Sequence, residues 1–211
     1  MKIIDLTHEI KEGMPVYPGT EAPVLKQANT IAEHGFAEKL ITMVSHTGTH
    51  MDAPAHVLDG RKNLSQIDLN DLFGKGCMID LREVRGKITV ETLKPYEDEL
   101  KSAKIAVFFS GWDRYWGDVK YFEDFPVMDE EAAKFLVATG VKGVACDMIS
   151  IDTVDSVSLD IHRILFAADM FSCENLKGLE RLAGMDFEIG IFPLNIKDGD
   201  GAPVRAVAFL R

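Results

Sequence analysis
Between residues 45 and 56 the chain reads Ser45-His46-Thr47-Gly48-Thr49-His50-Met51-Asp52-Ala53-Pro54-Ala55-His56, and this segment limits the fold more than any other. Three of the six histidines and an aspartate fall within eleven residues. His46, His50, Asp52 and His56 all occupy even positions, so an extended backbone would aim them to one side. Fully stretched, His46 to His56 would span roughly 33 Å, far more than metal bonds of about 2.0–2.2 Å can gather. The segment must therefore curl if these side chains share a site. Gly48 is free to take a positive φ, and Pro54 fixes its own φ while restricting Ala53, so each supplies a bend. The same two residues disfavour a helix, and no glutamate follows His46 as it does in zinc-protease helices. The reading is a strand ending at Ser45, then a loop that presents ligands.

Imidazole and carboxylate together suit a borderline or hard divalent ion such as Zn²⁺ or Mn²⁺. The absence of a nearby cysteine points to a catalytic rather than a closed structural site. The competing reading is a surface loop rich in histidine by coincidence, which a chain averaging about one histidine per 35 residues disfavours. A second cluster runs from Asp160-Ile161-His162-Arg163 to Cys173-Glu174-Asn175-Leu176. Its His162 falls on an expected helix. Glu174 is expected to begin the next one, where a carboxylate often serves only as a cap.

Short runs rich in Val, Ile and Phe at Lys2–Leu6, Lys39–Val44, Cys77–Leu81, Ile105–Ser110, Gly143–Asp147, Phe187–Phe192 and Val204–Leu210 read as strands. Ile105–Phe109 lacks alternation, as a strand covered on both faces should. Asp129 caps an expected helix that runs through Thr139 and stops at Gly140. Leu159–Ala168 and Glu174–Ala183 read as two more, and Pro95 splits a helical stretch over Thr89–Leu100. The pattern predicts an α/β fold with a mixed sheet, one domain over residues 1–211, since no linker divides the chain.

Apolar residues at 46 % and charged ones at 27 % exclude disorder, and a net charge of −11 disfavours nucleic acid and anionic lipid as partners. No apolar run is long enough for a membrane span or a leader, so a cytoplasmic location is expected. Cys77, Cys146 and Cys173 form no C-x-x-C pair and are expected as reduced, buried thiols. His8 and His34 read as a strand-end hydrogen bonder and a solvent-facing loop residue. Asp200 and Arg205 read as a structural ion pair or turn.

The run His46-x-Gly-Thr-His50-x-Asp52-x-Pro-x-His56 resembles the signature of the cyclase-type metal-dependent hydrolase family, which includes arylformamidases and isatin hydrolases. Asp5-Leu6-Thr7-His8 resembles its opening strand, Pro15-Val16-Tyr17-Pro18-Gly19 its Pro-x-Trp-Pro-Gly turn, Ser110-Gly111-Trp112 its Thr-Gly-Trp, and Asp198 to Ala206 its closing segment. The resemblance implies a swivelling β/β/α arrangement and a homodimer or homotetramer. It implies two divalent ions, Zn²⁺ with Mn²⁺ as the alternative. His46, His50 and Asp52 would bind one, His162 the other, with Asp52 and Glu174 bridging. His56 would be the acid/base catalyst and Tyr17 a substrate-binding residue. Tyr17 stands where arylformamidases carry Trp, and Thr20 replaces an acidic residue.

The implied activity is hydrolysis of an N-formyl arylamine, N-formyl-kynurenine in the first instance, by metal-activated water. Ring opening of a cyclic amide such as isatin, or of another small amide or lactone, is the alternative within enzymes. A non-catalytic metal-binding protein is the alternative outside them, and His56 separates the classes, since a purely structural site has no use for an unligated fourth histidine.

Overall fold
The computed structural model describes residues 1–211. Nine strands form one mixed sheet in the order Lys2–Asp5, Val207–Leu210, Glu188–Gly190, Phe73–Asp80, Ile105–Phe109, Gly143–Cys146, Phe171–Glu174, His50–Asp52, Gly201–Pro203. The four strands from Phe73–Asp80 to Phe171–Glu174 run parallel, and every flanking pair is antiparallel. Ile105–Phe109 is buried at all five positions. Ala106 and Phe108 enter one hydrophobic core while Ile105, Val107 and Phe109 enter the other, which is why its sequence shows no polar alternation.

The first core lies under the helices Glu130–Thr139 and Asp160–Ala167. Asp129 caps the former by accepting from the Ala132 N–H at 2.8 Å, and Gly140 ends it at φ 88°. Pro95 splits the earlier stretch into the helices Val90–Leu93 and Glu97–Ser102, as expected. The second core gathers Ile4 and Ala208 from one side of the sheet, Val107 from its centre, and Met51 and Ala202 from the other side. The sheet therefore curls around this core, and an isolated bridge between Thr7 and Leu176 ties the curl together.

Two expectations need correction. No helix spans Glu174–Ala183: Glu174 ends a strand, and only the 3₁₀ turn Leu179–Leu182 follows. Residues 172–174 pair with His50–Asp52 on one side, and 171–173 with Gly143–Ala145 on the other, so sheet pairing overrides their helical tendency. The strand before the histidine segment is Glu38–Thr42 and stops short of Ser45. It pairs with Val24–Asn29 in a hairpin outside the main sheet, whose residues are almost all exposed. All three cysteines are buried and unpaired, and no helix is long and apolar enough to cross a membrane.

Candidate metal centre
The histidine segment curls as its length demands, but part of it is a strand. His50–Asp52 is inserted antiparallel between Phe171–Glu174 and Gly201–Pro203. Within that strand His50 and Asp52 are two residues apart and face the same side. Register puts Glu174 opposite His50 and Ser172 opposite Asp52. Gly48, at φ 67°, turns the chain so that His46 comes back over the strand, and the 3₁₀ turn Pro54–His56 does the same for His56. The helix Asp160–Ala167 brings His162 down from above.

Asp52 is the hub. Its Oδ1 lies 2.6 Å from His46 Nδ1 and 3.1 Å from His50 Nε2. Its Oδ2 accepts from Ser172 Oγ at 2.7 Å and lies 3.7 Å from His162 Nε2. Glu174 spans the same two groups, with Oε2 at 3.6 Å from His50 Nε2 and Oε1 at 3.4 Å from His162 Nε2. Three donor sets result, His46–His50–Asp52 and Asp52–His162–Glu174, which share Asp52, and His46–His56–Asp200 at the rim, each with ligand atoms within 4.8 Å of one another. All five expected metal residues are thus brought together.

The outward nitrogens of the three rings are also committed. His50 Nδ1 faces the Gly48 carbonyl at 2.8 Å, His162 Nδ1 faces Asp152 Oδ2 at 2.7 Å, and His46 Nε2 faces Asp200 Oδ2 at 3.0 Å. A ring whose far N–H is spent on an acceptor keeps its near lone pair for a cation, the arrangement that metal-binding histidines show. Asp52, His50, His162 and Glu174 are at most 4 % exposed, so this charge is buried. Burial opposes ionisation of Asp52, yet His50 and His46 hold its carboxyl well below the usual range. Burial likewise opposes charge on His46, but Asp52 and Asp200 raise it to about 9, and Asp152, Asp52 and Glu174 raise His162 well above its ordinary value. The carboxylates make this pocket a seat for positive charge, and a divalent ion competes with protons for the same nitrogens. The residues fit a metal.

His56 sits beside the two sets that share Asp52. Its ring centroid is 4.0 Å from that of His46 and 6.1 Å from that of His162, and burial lowers its pKa. A cleft of about 350 Å³ opens over the cluster, walled by Pro15, Val16, Tyr17, Val44, Ile149 and Leu159 among others. The Tyr17 hydroxyl donates to the Val154 carbonyl at 2.9 Å, which pins the ring at the wall. Trp112 lies outside the cleft, in edge contact with Tyr115.

Sequence reasoning missed four residues. Asp152 accepts from the Ile161 and His162 N–H groups as well as from the His162 ring, so it caps the helix and aims its histidine. Asn175, at φ 59°, donates to the Gly48 carbonyl at 2.9 Å and locks the turn. Ser172 holds Asp52. Asp200 is no partner of Arg205, which pairs with Asp5 at 2.7 Å; it belongs to the site. His8, expected as a strand-end hydrogen bonder, is buried with its ring Nε2 unpartnered, and His34, expected in a loop, closes a short exposed helix.

A curled mixed sheet that carries two adjoining His/Asp/Glu sets defines a class, and residues 4–153 match the family described as putative cyclase. The chain belongs to that family. A protein named kynurenine formamidase from Geobacillus thermodenitrificans (strain NG80-2) is 30 % identical over 204 residues, covering 96 % of this chain and 95 % of its own. A second protein of that name, from Erythrobacter litoralis (strain HTCC2594), is 28 % identical over 207 residues, covering 98 % and 93 %. Among solved structures, a potential metal-dependent hydrolase with cyclase activity superposes with a TM-score of 0.77 at 30 % identity, over 100 % of this chain and 98 % of that one. Isatin hydrolase A from Labrenzia aggregata shares the fold, with a TM-score of 0.89 at 22 % identity over 99 % and 93 %.

Proposed function
We propose that this chain is a metal-dependent amidohydrolase that cleaves the formamide of an N-formyl arylamine, with N-formyl-kynurenine as the natural case. One observation carries the reading: two donor sets share Asp52, and a further histidine, His56, stands beside them facing the same cleft. His46 Nδ1, His50 Nε2 and Asp52 would hold one ion, and His162 Nε2 and Glu174 with the second oxygen of Asp52 the other; zinc is the proposed metal and manganese the alternative. When bound, such a pair supplies Lewis acidity that brings a water's pKa toward neutrality and polarises a carbonyl.

The chain's own residues do the rest. Tyr17, Ile149 and Leu159 offer an aryl group an apolar wall in the cleft that also opens on Asp52 and Glu174. At the floor of the cleft Asp52 and Glu174 are at most 4 % exposed, so little solvent reaches the carboxylates. His56, as a neutral imidazole, takes a proton from the attacking water and returns it to the departing arylamine nitrogen. Full-length similarity to the two kynurenine formamidases supports the formamide as the bond broken.

The test pairs metal analysis with a panel of N-formylaniline, N-formyl-kynurenine, isatin and simple lactones. Chelator treatment is expected to abolish formamide hydrolysis, and zinc to restore it. His56→Ala should bind zinc as the parent does and turn over about 10²-fold or more slowly. Unchanged turnover in that variant removes His56 from its role. Turnover of isatin without formamide would reassign the substrate. Zinc uptake with no turnover of any kind would leave only a metal-binding protein.

We also propose that the chain works as a homodimer or homotetramer. Phe36, Leu40 and Ile41, at or beside the hairpin, are each more than half exposed, and a two-stranded ribbon is marginal without cover. Sedimentation at micromolar concentration should give a multiple of the 23.4 kDa chain mass; a single-chain mass refutes this.

A further inference from the structure
The geometry points to Asp200 as a positioning residue that seats His46 next to His56, a role that rests on the metal-centre reading above. Its Oδ2 lies 3.0 Å from His46 Nε2 and 3.5 Å from His56 Nδ1, so one carboxylate oxygen addresses both an expected ligand and the expected acid/base. A neutral imidazole carries a single N–H. With an acceptor at Nε2 holding that hydrogen, His46 Nδ1 is the nitrogen left to give its lone pair to a cation shared with Asp52 Oδ1, 2.6 Å away. At 3.5 Å the same oxygen makes no hydrogen bond to His56 Nδ1, but it sets a negative charge beside that ring.

The backbone that carries Asp200 is fixed on both sides of it. Its carbonyl accepts from the Ala53 N–H at 2.8 Å, the Gly199 carbonyl accepts from the Leu64 N–H at 2.9 Å, and Gly201 pairs with Asp52 in the sheet. Gly201 completes the seat, because a Cβ there would run into the His46 ring. The carboxylate hangs over one face of the ligand strand while the neighbouring glycine clears room for the ring beneath it. His50 and His162 have their far nitrogens locked by a buried carbonyl and a buried carboxylate. His46 alone is locked from the rim, by a side chain that is 46 % exposed and therefore removable without opening a core cavity.

The test compares the parent with Asp200→Ala and Asp200→Asn. Zinc affinity of the metal-free proteins is measured by competition with a chromogenic chelator, in the absence of substrate. The ion held by His46 is expected to bind about 10–100-fold more weakly in Asp200→Ala, with zinc content at saturation unchanged. Asp200→Asn, which retains an acceptor oxygen, should recover most of that affinity. At saturating zinc, kcat on N-formylaniline should fall in Asp200→Ala while KM holds, because the substrate wall is untouched. Equal affinity and equal kcat in Asp200→Ala and the parent would overturn the assignment. Loss of a whole zinc equivalent at saturation would also overturn it, by making Asp200 a ligand. A parent protein that takes up no zinc fails earlier and separately, and sinks the metal centre itself.

Discussion
A Cβ added at Gly201 would press on Cε1 of His46 and lie 2.8 Å from its Nε2. Pairing with Asp52 holds the Gly201 backbone, so the ring would have to give way, and as a partly exposed side chain it has room to do so. Gly201→Ala should therefore leave the fold standing and move the proposed ligand His46 from its place. We expect a melting temperature within a few degrees of the parent, with kcat/KM lower by about 10²-fold, the scale on which a 1 Å misplacement acts. Thermal melts beside zinc competition check both halves, and a variant with parental zinc affinity would show that the ring has another seat. Gly76 and Gly143 look similar on paper but serve packing, since their added Cβ atoms would strike Phe187 and Phe171. What a glycine makes room for, rather than its being glycine, marks a site.

At the level of elements, the parts read correctly from sequence are those whose signals sit next to one another in the chain. Asp129 and Gly140 bracket their helix within one stretch, and Pro95 breaks another where it stands. Even spacing put His50 and Asp52 on one side, and a strand does so; the bends at Gly48 and Pro54 then deliver His46 and His56. Where the reading failed, the deciding partner was far away. Residues 171–174 become a strand because 50–52 and 143–145 flank them, which nothing in their own composition announces. Asp152, Ser172 and Asp200 are ordinary polar residues until folding sets them against His162, Asp52 and His46, at separations of 10, 120 and 154 residues. His162 and Glu174 were legible as ligands only through resemblance to a family. Their helix and strand gave no local reason to meet, whereas the dense histidine segment pointed to a metal by itself.

For the whole molecule, the N-terminal segment acts as a clasp across distant parts of the chain. Leu6 N–H donates to the Ala206 carbonyl, Lys177 N–H to the Leu6 carbonyl, and His8 N–H to Thr49 Oγ1 at 2.9 Å. The His8 ring is buried and stacked on Trp116 with centroids 3.8 Å apart, and its Nε2 has no hydrogen-bond partner. Burial, and then the positive charge of Lys177, push its pKa down to about 4; Asp5, Glu9 and Arg205 share the adjoining cleft without reversing the shift. In the unfolded chain this ring titrates near its ordinary value of about 6.5. Between those two values the unfolded state holds the proton and the folded state does not, so His8 makes stability rise with pH across that window. Read downward, its contribution is intact above about pH 6.5 and is lost progressively toward pH 4. His8→Phe keeps the stack and deletes the titration. Urea midpoints of the two proteins from pH 4 to 8 should run parallel above pH 6.5, with the parent falling away from the variant below it. The histidines of the candidate metal centre are the same in both proteins, so their contribution cancels in the difference. Curves that stay parallel down to pH 4 would mean that the folded protein protonates His8 as readily as the unfolded one, and the clasp would then have to open to water without costing the fold.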